Sequence, residues 1–140
     1  MMKCLVSGLF AALCLTLPAH AQPVTSIYWH DGDSGVIDGV KFRLADVDAP
    51  ETGGVGAVNG ARCEAERVAG FEAKAWIIEA TKGRKLVITG GDAKPDKWGR
   101  RVLTLTADGM DLGTLAVASG HLKPYVFENG RSKGKKPGWC

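Results

Sequence analysis

Val40, Phe42 and Leu44 alternate with Lys41 and Arg43, the period-two pattern of a strand with one apolar and one polar face. Val36-Ile37 precedes it across Asp38-Gly39, a two-residue hairpin signal because glycine tolerates positive φ. Val24 to Trp29 reads as an earlier strand, and Asp31-Gly-Asp33-Ser-Gly35 as a turn after it. Pro50 ends the pairing begun at Val40, since proline has no N–H to donate. Residues 52–60 carry four glycines and read as a loop; their spacing does not fit a dinucleotide fingerprint. The longest helical pattern covers Ala61 to Lys82, with Val68, Phe71, Ala75, Trp76 and Ile78 as its apolar stripe and Gly83 as its stop. Strands are predicted over Lys85 to Thr89 and Arg101 to Thr106, joined by a polar loop. Asp111 can cap a short helix over Leu112 to Ser119 that ends at Gly120. Short strands, a helix, two strands and a helix give an α+β fold with a small barrel.

The N-terminus changes what counts as the folded chain. Lys3, the apolar run Leu5 to Leu17 and Ala19-His20-Ala21 read as a signal peptide over residues 1–21, with cleavage before Gln22. The expectation is an exported protein, periplasmic or secreted, with residues 22–140 as one domain and no membrane segment after cleavage. Cys4 and Cys14 would leave with the leader, so Cys63 and Cys140 remain. One disulfide between them is the expected state; two free thiols or a bridge to another chain are the alternatives. A Cys-based zinc site is disfavoured, because no cysteines lie close together and only His30 and His121 remain as imidazoles. The chain carries a net charge of +3, too small to name a partner, but Arg131 to Lys136 gathers four of its cations.

Carboxylates supply the candidate chemistry. Asp31 and Asp33 sit in one turn, while Asp48 and Glu51 end a strand in the same hairpin system, so the fold can bring them together. Oxygen donors without cysteine suit a hard cation, Ca²⁺ or Mg²⁺. An EF-hand does not fit, because its glycine is displaced and its twelfth position is Phe42. Arg43 and Arg100 add guanidiniums that can stabilise charge building on a phosphodiester, and Glu51 can take a proton from attacking water.

Asp31-Gly-Asp33-Ser34, Phe42-Arg43-Leu44 through Val47-Asp48-Ala49-Pro50-Glu51, and Asp96-Lys97-Trp98-Gly99-Arg100 resemble, in order and spacing, the staphylococcal nuclease (thermonuclease) family. The likeness continues through Asp108-Gly109, Leu112, Gly120 and Tyr125, covering about residues 24 to 127. It implies a small five-stranded OB-fold β-barrel with packed helices and Ca²⁺-dependent cleavage of DNA and RNA. By that likeness Asp33, Asp48 and the main-chain carbonyl of Ala49 hold the metal, with Asp31 in support. Glu51 is the general base, and Arg43 and Arg100 bind the reacting phosphate. Lys97, Trp98, Tyr125 and Phe127 would line the nucleic-acid path, favouring single strands with little sequence dependence. The 131–136 tail would add phosphate contacts. Replacing Arg43, Glu51 or Arg100 is expected to cost rate without a parallel loss of stability.

The sequence departs from the family at several points. Ala49 stands where threonine is common, and Phe127 where tyrosine can stand. Asp46 has no assigned role and is expected to be exposed. The C-terminal end is short, with Cys140 a candidate to fasten it. The rival readings are a non-catalytic OB-fold module binding single-stranded nucleic acid, and an exported calcium-binding or protein-interaction domain. A monomer is expected.

Overall fold

The computed structural model describes residues 21–140, so the expected leader, apart from Ala21, lies outside the described residues, as do Cys4 and Cys14. Strands β1 (Gln22–Pro23), β2 (Ile27–Trp29), β3 (Ser34–Ile37), β4 (Val40–Leu44) and β5 (Val47–Asp48) precede helix α1 (Glu64–Thr81). Strands β6 (Leu86–Gly91), β7 (Arg101–Ala107) and β8 (Met110–Asp111) lead into α2 (Leu112–Ala118). Strands β9 (Lys123–Pro124), β10 (Phe127–Glu128) and β11 (Arg131–Ser132) follow.

Among the described residues the fold is α+β, with a curled mixed sheet, two small two-stranded sheets (β5–β9 and β10–β11) and two helices. The strands of the curled sheet run β1-β6-β7-β4-β3-β2, and β8 adds to β7. The β4–β7 pair is the only parallel one among the described residues, Phe42 facing Arg101 and Leu44 facing Leu103. The expected strand over Val24 to Trp29 shortens to β2, which pairs with β3, while β1 lies just before that span and pairs with β6. Asp38 holds the link between them, accepting hydrogen bonds from Ser26 N at 2.7 Å and Thr25 Oγ1 at 2.6 Å. Its own φ of 47° and Gly39's of 81° make the β3–β4 turn a primed hairpin.

The core gathers Trp29, Phe42, Leu44, Ile77, Leu103, Leu105 and Leu112 between the sheet and both helices. Trp29 packs edge-on to Phe42 and donates its indole N–H to Thr81 Oγ1 at 3.1 Å, so a buried polar atom is satisfied across 52 residues of chain. Helix α2 begins as its sequence predicts: the Asp111 carboxylate accepts from Thr114 N at 2.7 Å.

Helix α1 corrects the expected apolar stripe. Val68, Phe71, Ala75 and Ile78 face solvent and Trp76 is half-buried, while Glu66, Gly70, Ala73, Ile77 and Thr81 face inward. At Gly70 the inner face carries no side chain, because the chain at Pro50–Glu51 presses against it. A Cβ on Gly70 would lie 2.5 Å from the carbonyl oxygen of Glu51. The helix also starts at Glu64 rather than Ala61, with Cys63 as its N-cap. Among the described residues, no helix is long and apolar enough to cross a membrane.

Candidate active site

The site forms where β3, β4 and β5 end together. Asp31 sets the first turn, its Oδ1 accepting from Asp33 N at 3.0 Å and Ser34 N at 2.7 Å. An aspartate that bonds backbone two and three residues ahead fixes a turn without help from other elements. Asp33 is thereby turned inward, 3% exposed, and its Oδ2 accepts from Ala49 N at 2.8 Å. Ala49 thus bridges the two acidic segments through its N–H.

Arg43 binds both buried acids. Its Nη1 lies 3.0 Å from Asp33 Oδ2 and its Nη2 lies 3.3 Å from Asp48 Oδ1 and 2.8 Å from Val47 O. Arg43 is 7% exposed and Asp48 1%. Burial and the neighbouring acids make this a demanding environment for negative charge. Burial pushes the Asp33 carboxyl up to about 8; Arg43 pulls against it, and the charges of Asp31 and Asp48 reinforce it. Arg43 Nε is the one buried side-chain polar atom without a hydrogen-bond partner among the described residues. Phe127 covers the guanidinium, with its ring centre 4.7 Å from Cζ. The arginine expected to serve phosphate alone is therefore also a structural keystone, and its replacement should not leave stability unchanged.

Arg100 reaches the same cleft from the 96–100 turn. Asp96 accepts from Trp98 N at 2.9 Å, from Arg100 N at 3.0 Å, and from Arg100 Nε at 2.7 Å. Burial works against the charge of Asp96, yet the Arg100 guanidinium and these N–H groups hold its carboxyl below the usual value. Asp96 was part of the sequence motif without a role; it aims Arg100. Trp98 is 58% exposed, with Lys97 Nζ 4.2 Å and Arg100 Cζ 5.0 Å from its ring centre. Tyr125 and Phe127 meet edge to face at 5.0 Å.

These groups border one open cleft of about 800 Å³. It takes in Asp31, Asp33, Arg43, Asp48, Glu51, Lys97, Trp98, Arg100, Tyr125 and Phe127. Ala49 stands beside it through its bond to Asp33. Asp46 is exposed as expected, and it has a task. With φ at 61° its carbonyl accepts from Tyr125 N at 2.9 Å and its Oδ1 from Phe127 N at 3.0 Å, fixing the aromatic segment.

Two further residues escaped the sequence reading. Glu66 is 2% exposed and accepts from Arg62 N at 2.7 Å and Glu51 N at 3.4 Å, tying the Glu51 turn to the start of α1. The acid three residues after the Cys63 N-cap is the signal that marks it. Lys136, expected to belong to a solvated phosphate-binding tail, turns inward instead. Its Nζ lies 2.6 Å from Glu51 Oε1 and 3.5 Å from Asp48 Oδ1. Burial opposes its charge, but Glu51 and Asp48 raise its pKa above the ordinary value, so it stays an ammonium. Trp139 donates its indole N–H to Asp48 Oδ2 at 3.0 Å. The expected Cys63–Cys140 disulfide is present, with Cα atoms 6.0 Å apart.

The donor chemistry suits a hard cation, but the arrangement does not fit one. Both oxygens of Asp48 and Oδ2 of Asp33 already face N–H donors or cations, and the described residues hold no group of three acids, histidines or cysteines spaced as metal ligands. No protein-family model matches this sequence, and no curated protein matches it.

Proposed function

We propose that the chain is an exported phosphodiester hydrolase that cleaves DNA and RNA with little sequence preference, acting at the cleft around Asp33, Arg43, Asp48, Glu51 and Arg100. The observation that carries this reading is that three sequence blocks, 31–34, 42–51 and 96–100, border one cleft with buried acids, two arginines and an aromatic rim. A fold alone does not require buried like charges, which cost stability unless function retains them.

The roles follow from position. Glu51, half-buried at the cleft edge, is the group able to take a proton from water. Arg100, oriented through its Nε, is the guanidinium available to a phosphate; Arg43 contributes the positive field around Asp33 and Asp48. Lys97, Trp98, Tyr125 and Phe127 hold unpaired bases by stacking and phosphates by charge, neither of which reads a base edge. Duplex cleavage then needs local opening, so single strands are preferred. Ca²⁺ is the cofactor of this reading because its hard-oxygen preference matches Asp33 and Asp48; no step here is routed through it, since both acids are occupied as arranged.

An OB-fold barrel is part of the same proposal. The two ends of the sheet path, β1 and β2, belong to one short stretch of chain, and the β4–β7 pair is parallel, as closing such a path requires. One observation favours a second reading, a non-catalytic binder of single-stranded nucleic acid: Lys136 and Trp139 cover the acids that would repel phosphate.

The experiment that separates the two readings incubates single-stranded DNA and RNA with the protein in millimolar Ca²⁺ or chelator. Shortened fragments that vanish with chelator support hydrolysis. Retarded but intact strands support the binder.

A further inference from the structure

We infer that a second cleft, walled by the 94–97 turn and the β10–β11 hairpin, receives the phosphates of a single-stranded nucleic acid on one side of the bond that is cut. This rests on the nucleic-acid reading above and adds where the strand runs once it leaves the aromatic rim.

The second cleft has a volume of about 730 Å³ and opens directly from the first, sharing Lys97, Gly130, Arg131 and Ser132 as a border. Local sequence fixes its walls. Glu128 and Arg131 pair across the hairpin, and Asn129 and Gly130 between them, with φ of 52° and 75°, form the two-residue primed turn that an Asn-Gly pair favours. Gly130 also docks the hairpin on the opposite wall. Its N–H donates to Asp92 Oδ2 at 2.8 Å, and a Cβ there would collide with the carbonyl of Pro95. The hairpin thereby joins the two clefts: Phe127 at its start covers Arg43 in the first, and Arg131 beyond its turn stands on the border.

Charge decides what this cleft takes. Lys94, Lys97, Arg131 and Lys133 line it, against the acids Asp96 and Glu128. Both acids are already answered, Asp96 by Arg100 at 2.7 Å and Glu128 by Lys133 at 2.8 Å. Lys94, Lys97 and Arg131 are exposed, and among the described residues none of them enters an ion pair. Uncommitted cations spread along a cleft suit a chain of phosphates better than one isolated anion. The lining of the second cleft includes no aromatic residue, whereas Trp98, Tyr125 and Phe127 line the first. The clefts therefore divide the work. Bases stack in the first, and the second holds backbone charge alone, which carries no sequence information. Of the expected phosphate-binding tail, Arg131 and Lys133 stand here, while Lys136 turns to Glu51.

The test is fluorescence anisotropy with a labelled thymidine tetramer and dodecamer at several salt concentrations, in chelator so that the strands stay intact. The parent is compared with Lys94→Ala/Arg131→Ala and with Lys82→Ala/Lys85→Ala, which removes the same charge outside both clefts. A longer strand also offers more registers, so the readout is the effect of the variants and of salt rather than the gain in affinity with length. The tetramer is expected to bind all three proteins within about twofold. The dodecamer is expected to bind Lys94→Ala/Arg131→Ala about tenfold more weakly than the parent. Its log–log salt slope should be shallower by about 1.4, since each phosphate neutralised on a single strand contributes about 0.7. Equal weakening of tetramer and dodecamer, an unchanged dodecamer, or an equal loss in Lys82→Ala/Lys85→Ala overturns the second subsite and leaves the first cleft as proposed. Failure of the parent to bind either strand overturns the subsite and the nucleic-acid reading together.

Discussion

Replacing Arg43 by methionine should cost far more stability than a surface arginine does. One guanidinium here serves two acids, Asp33 at 3.0 Å and Asp48 at 3.3 Å, and all three residues are nearly fully buried. Removing one partner of a buried pair typically costs about 3–5 kcal/mol, because the remaining charge stays desolvated. Asp33, its carboxyl pushed up to about 8, is mostly uncharged at neutral pH, so Asp48 is the acid left without its guanidinium, and Val47 O also loses its 2.8 Å donor, worth about 1 kcal/mol. Methionine keeps apolar contact with Phe127, which offsets part of this. A net loss of about 4 kcal/mol corresponds to a Tm lower by roughly 10–20 °C in a domain of this size. Arg43→Lys keeps the charge but cannot span both acids with a planar fork, so it should fall between the two. Calorimetry at neutral pH reads the drop. A Tm for Arg43→Met within about 2 °C of the parent would refute this account of the cluster.

Gly70→Ala sets two effects against each other: alanine gains about 1 kcal/mol in a helix, whereas a Cβ 2.5 Å from Glu51 O forces backbone apart at a cost of about 1–3 kcal/mol. The expected result is a lower Tm and a larger fractional loss of cleavage, because the displaced segment carries Glu51; a raised Tm with full activity contradicts it. Asp96 gives a pH signature. Its folded-state pKa lies below the ordinary 3.8, so its stabilisation is present above that value and is lost as pH falls through the folded one. Urea titrations of the parent and Asp96→Asn should therefore converge in the acid range, and a constant difference from neutral pH to pH 3 would contradict this.

Much of the architecture was legible because local rules and tertiary packing agreed. Asp38-Gly39 fixed a hairpin, Asp111 capped α2, and Gly83 with a φ of 67° followed the end of α1. The buried face of α1 was not legible. Large apolar residues at helical spacing marked the wrong side, because the inner side includes small residues such as Gly70 and Ala73 that let neighbouring backbone come close, at Gly70 the backbone of Glu51. Alternation likewise assigned Arg43 to a solvent face. Phe127 and Asp33 cover that face from other elements, which the alternation within one strand cannot register, and Asp48 joins them from β5. The acids and arginines of the cleft stood out because such residue types are unusual next to a buried strand. Their pairing did not, since nothing within 131–136 distinguishes Lys136 from a solvated lysine.

The central claim is that this cleft hydrolyses phosphodiesters with Glu51 as base. The most direct measurement is the initial rate on a single-stranded DNA oligonucleotide in millimolar Ca²⁺, for the parent and for Glu51→Gln. The expected result is measurable cleavage by the parent and a loss of about 10² to 10⁴ in the variant, with its Tm near the parent's. An inactive parent, or a Glu51→Gln variant that cleaves as fast as the parent, would contradict it.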